Sequence, residues 1–105
     1  MLKKIETIDL VTQVPDTGKY QLVLVVEEGE WTLPEAKSLL QEKVNAYLIY
    51  ALDGQLQEEY PDARPDQVEL IINYMEEPPQ DMQLFLQRLQ KAVTKEGIPS
   101  QVIPL

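Results

Sequence analysis

Three short clusters of carboxylates are the only plentiful reactive groups in this chain. Glu27, Glu28 and Glu30 surround Gly29, Glu58 and Glu59 precede Tyr60, and Glu76 stands next to Glu77. Paired acids hydrolyse glycosides when they flank a cleft at a defined separation, and one or two hold magnesium when water positions stay open. Neighbours along a chain do not by themselves converge on a point, however, and acids at loop tips more commonly cap and protect sheet edges. The chain contains no histidine and no cysteine. That removes the usual neutral-pH proton shuttle, the thiol nucleophile, the disulfide and the two commonest zinc ligands. Ser38 and Ser100 have no histidine to activate them, and Ser38 adjoins Lys37, a spacing that turns the two apart on a helix. The Asp53–Glu59 stretch lacks the alternating oxygens of a calcium loop, and the four glycines form no phosphate cradle. No catalytic residue, metal ligand or cofactor-binding residue is assigned, and no cofactor is expected. The residues point away from an enzyme.

The aromatic residues offer a second kind of chemistry. Trp31 and Tyr60, with Tyr47 and Tyr50 between them in sequence, are candidates for a small-ligand pocket. The same residue types are favoured at protein interfaces and at the rim of ordinary cores.

Charge narrows the partners. Eighteen Asp and Glu against nine Lys and Arg give a net charge of −9. Scattered basic residues outnumbered two to one cannot track a phosphate backbone, and the same charge repels anionic membranes. Nucleic acid and membrane are therefore excluded as expected partners. Acidic residues within the first ten positions do not fit a signal peptide, and the longest apolar runs are far too short for a membrane span. A cytoplasmic protein is the expectation.

The elements that must position these groups follow from pattern. A 105-residue chain, 44% hydrophobic and 26% charged, reads as one globular domain over 1–105. Ile5–Val14 and Tyr20–Glu28 read as a hairpin around Pro15-Asp16-Thr17-Gly18-Lys19, with Val14 facing Tyr20 and Thr12 facing Leu22. Thr32 is the expected N-cap of a helix that has Pro34 in its first turn, and Gly54 is its stop. Ala36, Leu40, Val44, Tyr47, Leu48 and Ala51 form the apolar stripe of that helix. A polar loop over 55–67, with room for one helical turn, leads to a strand over Val68–Met75, then to a second helix from about Pro79 to Glu96 whose apolar face is Met82, Phe85, Leu86, Leu89 and Val93. Ile98–Leu105 is left for a short edge strand. The order ββαβα(β) predicts an α+β two-layer sandwich, a three- or four-stranded mixed sheet with two helices on one face. A right-handed crossover makes the third strand parallel to the second, and the strand order expected is 2-1-3.

Two helices on one face leave the other face of the sheet uncovered. The residues expected there are Asp9, Val11, Gln13, Gln21, Val23, Val25, Ile71, Asn73 and Met75. Soluble monomers seldom leave such an apolar group open. The first helix is also apolar all round from Ala46 to Leu52, so Tyr47, Ile49 and Tyr50 cannot all face one core. The interface expected from these patterns comprises Val11, Val23, Val25, Ile71 and Met75 on the sheet and Tyr47, Ile49 and Tyr50 on the helix. It implies protein–protein contact, as a homodimer or with another protein. An acidic inhibitor or immunity-type protein for a basic toxin or nuclease, and a small-ligand module, are the alternatives.

Leu40-Gln41-Glu42-Lys43-Val44-Asn45-Ala46-Tyr47-Leu48, then Gly54, then Tyr60-Pro61-Asp62-Ala63, resembles a family of short bacterial proteins known only as a domain of unknown function. The resemblance implies a bacterial origin and a stand-alone domain. It carries over no functional residue.

Overall fold

A computed structural model describes residues 2–4 and 7–105. Strand β1 (Leu10–Gln13) runs antiparallel to β2 (Tyr20–Val26). A 3-10 turn over Glu30–Thr32 leads to helix α1 (Ala36–Leu52) and a short α2 (Gln55–Glu59). Strand β3 (Val68–Tyr74), helix α3 (Gln80–Lys95) and strand β4 (Ser100–Pro104) complete the chain. The sheet order is β1-β2-β3-β4, with β2, β3 and β4 mutually parallel. This is the mixed α+β sheet expected, with the tail recruited as its fourth strand.

The expected order 2-1-3 is wrong, and burial explains why. Strand β2 carries almost no exposed position, whereas β1 is exposed at both ends. An edge place for β2 would leave apolar residues and unpaired backbone groups open to water, so β3 docks against β2 directly. Leu22, Leu24 and Val26 of β2 and Val68, Leu70 and Ile72 of β3 join one core with Leu40, Val44 and Tyr47 of α1 and Met82, Leu86, Leu89 and Val93 of α3. Both long helices thus cover the same side of the sheet.

The hairpin register is shifted by one residue from the expected pairing. Gln13 faces Tyr20, Thr12 faces Gln21, Val11 faces Leu22 and Leu10 faces Val23. Lys19 belongs to the ladder, not to the loop: the Val14 N–H donates to the Lys19 carbonyl, and the Gly18 N–H closes the turn on the Val14 carbonyl. Gly18 sits at φ +72°, a conformation glycine enters without a side-chain clash. The shift turns Val11 and Gln13 to the helix side and puts Leu10 and Thr12 on the open face. Ile5, which opened the expected first strand, lies outside the described residues.

Helix α1 starts later than expected. Residues 33–35 form turns, and the Thr32 hydroxyl donates back to the Gly29 carbonyl, so it caps nothing. At the other end Gly54, at φ +93°, redirects the chain from α1 into α2. No helix among the described residues is long and apolar enough to cross a membrane.

Candidate functional site

The position of β1 rests on a buried polar knot. Asp9 lies just before the strand, and its carboxylate accepts from the Lys43 ammonium at 2.7 Å and from the Val25 N–H at 2.9 Å. The Lys43 and Asp9 side chains are only 0% and 2% exposed. The Asp9 N–H donates to the Tyr47 hydroxyl, which donates in turn to the Val23 carbonyl. Burial pushes the Tyr47 hydroxyl well above its ordinary value, so it stays neutral and donates throughout the working pH range. Where the ladder ends, side chains from one helix thus tie β1 to β2. Asp9 was expected on the open sheet face; it is buried against α1 instead. Lys43 went unnoticed in the sequence, although a cation three residues after Leu40 and four before Tyr47 stands inside the apolar stripe and requires a buried acid.

This knot fixes two surfaces. The first is the face of the sheet away from the helices. At one end Thr12, Gln21 and Glu69 form a polar row: the Thr12 hydroxyl donates to the Gln21 side-chain Oε1 at 3.2 Å, and the Gln21 Nε2 donates to the Glu69 carboxylate at 2.6 Å. Beside this row the face becomes mainly apolar, interrupted by Asn73 between Val25 and Ile103 and by Gln101 beside Ile71. Val23 and Ile71 are adjacent and buried between their neighbours, Val25 is half-buried, and Leu10, Met75 and Ile103 are exposed. Of the expected interface, Val23, Val25, Ile71 and Met75 stand together here. Val11 does not, because the register shift packs it against the core.

The helical part of the expected interface comes apart in the same way. Tyr47 and Tyr50 are buried, and Ile49 alone of the three is exposed, at 54%. Ile49 forms a shallow apolar surface with Leu48 and Leu52, bordered by Asp53 and Glu96.

The second surface is a groove of about 530 Å³ between residues 8–11 on one side and Tyr50, Gln55, Glu59 and Tyr60 on the other. The Tyr50 hydroxyl donates to Glu59 at 2.9 Å, and burial together with this carboxylate pushes it up to about 12. Tyr60 packs against Tyr20 with ring centroids 5.5 Å apart.

Trp31 lies far from Tyr60. Its ring meets Tyr74 and its indole N–H donates to the Glu76 carbonyl at 2.7 Å, at the end of β2 opposite Tyr20. Six residue steps of β2, about 20 Å of strand, separate the two ends. The structure therefore does not assemble Trp31 and Tyr60 into one pocket. The carboxylate clusters are likewise spread out. Glu76 accepts from the Gly29 N–H, and Glu77 accepts from the Tyr74 hydroxyl. Burial works to raise the Glu30 carboxyl, but hydrogen bonds, including those from the Glu27 and Leu2 N–H groups, hold it below the usual value. These acids serve as acceptors for chain turns, and no group of three or more gathers as a metal site among the described residues.

Comparison with curated proteins and with solved structures gives no match. One family profile does match, over residues 1–103, and its span takes in β1, the polar knot, both surfaces and nearly all of β4. The chain belongs to a family of unknown function (DUF6572).

Proposed function

We propose that this chain is a non-catalytic interaction domain that pairs with a second copy of itself through the open face of its sheet. The observation that carries the reading is the apolar end of that face, where exposed Leu10, Met75 and Ile103 border Val23, Val25 and Ile71. Within the strands this face holds a single charged residue, Glu69, whose carboxylate is engaged by Gln21. Two copies can therefore meet face to face without concentrating the net charge of −9 at the contact. Sheet-on-sheet packing about 10 Å apart is a common way to cover such a face.

Light scattering after size exclusion, at low and high salt, tests this. The expected mass is twice that of the chain at both salts, because the contact is apolar. Ile103→Lys should return a folded monomer, since Ile103 is already 39% exposed and contributes little to the fold. A wild-type monomer, or a dimer unchanged by Ile103→Lys, removes this reading.

A further inference from the structure

We infer that the groove beside β1 takes an extended, basic segment of another protein as a fifth strand of the sheet. Strand β1 is at the edge, and no strand among the described residues pairs with its outer side. The Val14 N–H points to Lys19, so alternation along the antiparallel ladder turns the N–H groups of Thr12 and Leu10 toward β2 and those of Val11 and Gln13 outward. An incoming strand has main-chain partners waiting there, which is how sheet-edge recognition gains affinity.

The groove supplies what a bare edge lacks. It opens alongside residues 8–11, and Tyr50, Gln55, Glu59 and Tyr60 form its far wall. Side chains alternate across a strand, so every second residue of the incoming segment would turn from the edge into this space. The two tyrosines offer apolar ring surface, and Glu59 offers a charge. Asp9, the other acid along the groove, is already neutralised by Lys43, and no cation lines the wall. The remaining charge favours Lys or Arg in the segment, as does the overall charge of −9. Natural edge strands are commonly protected by lysine, proline or a bulge. From Leu10 to Gln13 this edge has none of these.

The test is a titration of the isotope-labelled chain, followed by amide chemical shifts. The probe is a pool of synthetic octapeptides with Lys or Arg at alternate positions and Val, Ile or Phe between them. It is run on wild type and on Ile103→Lys, so that failure of self-pairing through the open face is read separately. Saturable shifts at the Val11 and Gln13 amides are expected in both. Glu59→Gln should weaken binding about threefold to fivefold, the size of one partly exposed ion pair. Peptides N-methylated at every residue, which have no N–H on either side to offer an edge, should not bind, and Gln13→Pro should abolish binding while circular dichroism stays unchanged. Four results overturn the proposal: no saturable shift, shifts that survive N-methylation, shifts confined to the open sheet face, or equal binding of a pool with Glu in place of Lys and Arg. A concentration-dependent shift of β1 without peptide would also overturn it, by assigning the groove to a second copy.

Discussion

The two edges of the sheet are held in place by different physics. Strand β4 is brought to β3 by α3, whose buried Met82, Leu86, Leu89 and Val93 repeat at helical spacing and read as one apolar stripe. Strand β1 has four residues and little burial, and it depends on Asp9, Lys43 and Tyr47. An apolar contact tolerates small displacements. A buried ion pair with directed hydrogen bonds does not, and its geometry must be met or the charge is stranded. The β1 edge is therefore the more exactly positioned of the two, although it is the shorter.

Substitutions can break this comparison. The largest effect is expected from Lys43→Met, which leaves the Asp9 carboxylate buried without its cation. A loss of about 3–5 kcal/mol in urea unfolding is expected, and a loss below 1 kcal/mol would show that β1 does not rely on the pair. On the other edge Leu89→Ala should cost about 2–4 kcal/mol through lost burial and a cavity, with the β1 amides unshifted. Tyr47→Phe removes one hydroxyl and orphans the Asp9 N–H, at about 1–3 kcal/mol.

The same variant sharpens the pH dependence. Tyr47 and Tyr50 are both raised in the folded state, burial being the main cause, so the folded chain binds more protons than the unfolded one above the ordinary tyrosine value near 10. Their contribution is complete below pH 10 and is lost as the pH rises toward and past 12. Unfolding midpoints measured between pH 9 and 12 should fall less steeply in Tyr47→Phe than in wild type, and equal slopes would assign the alkaline loss elsewhere. The smallest effect belongs to the exposed Lys37–Asp81 pair at 3.5 Å. Lys37→Ala should change stability by less than about 1 kcal/mol.

The same contrast decides what was legible in the sequence. Helix α3, the parallel direction of β3 relative to β2, the hairpin itself and the open face of the sheet follow from apolar period and crossover handedness, because burial writes those patterns directly; that β3 docks on β2 and not on β1 does not. The register of β1 does not. Its alternating Ile8, Leu10, Thr12 and Val14 suggest one apolar side, yet the strand is too exposed for burial to choose its side. Its register is set by the Val14–Lys19 closure of the turn and by Asp9 reaching Val25 and Lys43. Those contacts cross up to 34 positions and leave no local period. The groove was hidden for the same reason, since its walls come from a strand, a helix end and a loop that meet only once β1 is placed. The sequence does carry an acid in an apolar strand and a cation in an apolar stripe, 34 positions apart, with nothing local to pair them.

The central pairing of β2 with β3 joins residues 48 positions apart, as the Gln21–Glu69 contact records. During synthesis at about 5–20 residues per second, β2 emerges about 2–10 s before its partner strand exists. Through that interval Leu22–Val26 is an apolar strand with one open edge, the kind of segment that seeds aggregation. Glu27, Glu28 and Glu30 follow it immediately. Flanking charges of this kind act as gatekeepers, so acids that stand grouped in the sequence without forming a site in the finished fold would protect the growing chain while it waits for β3.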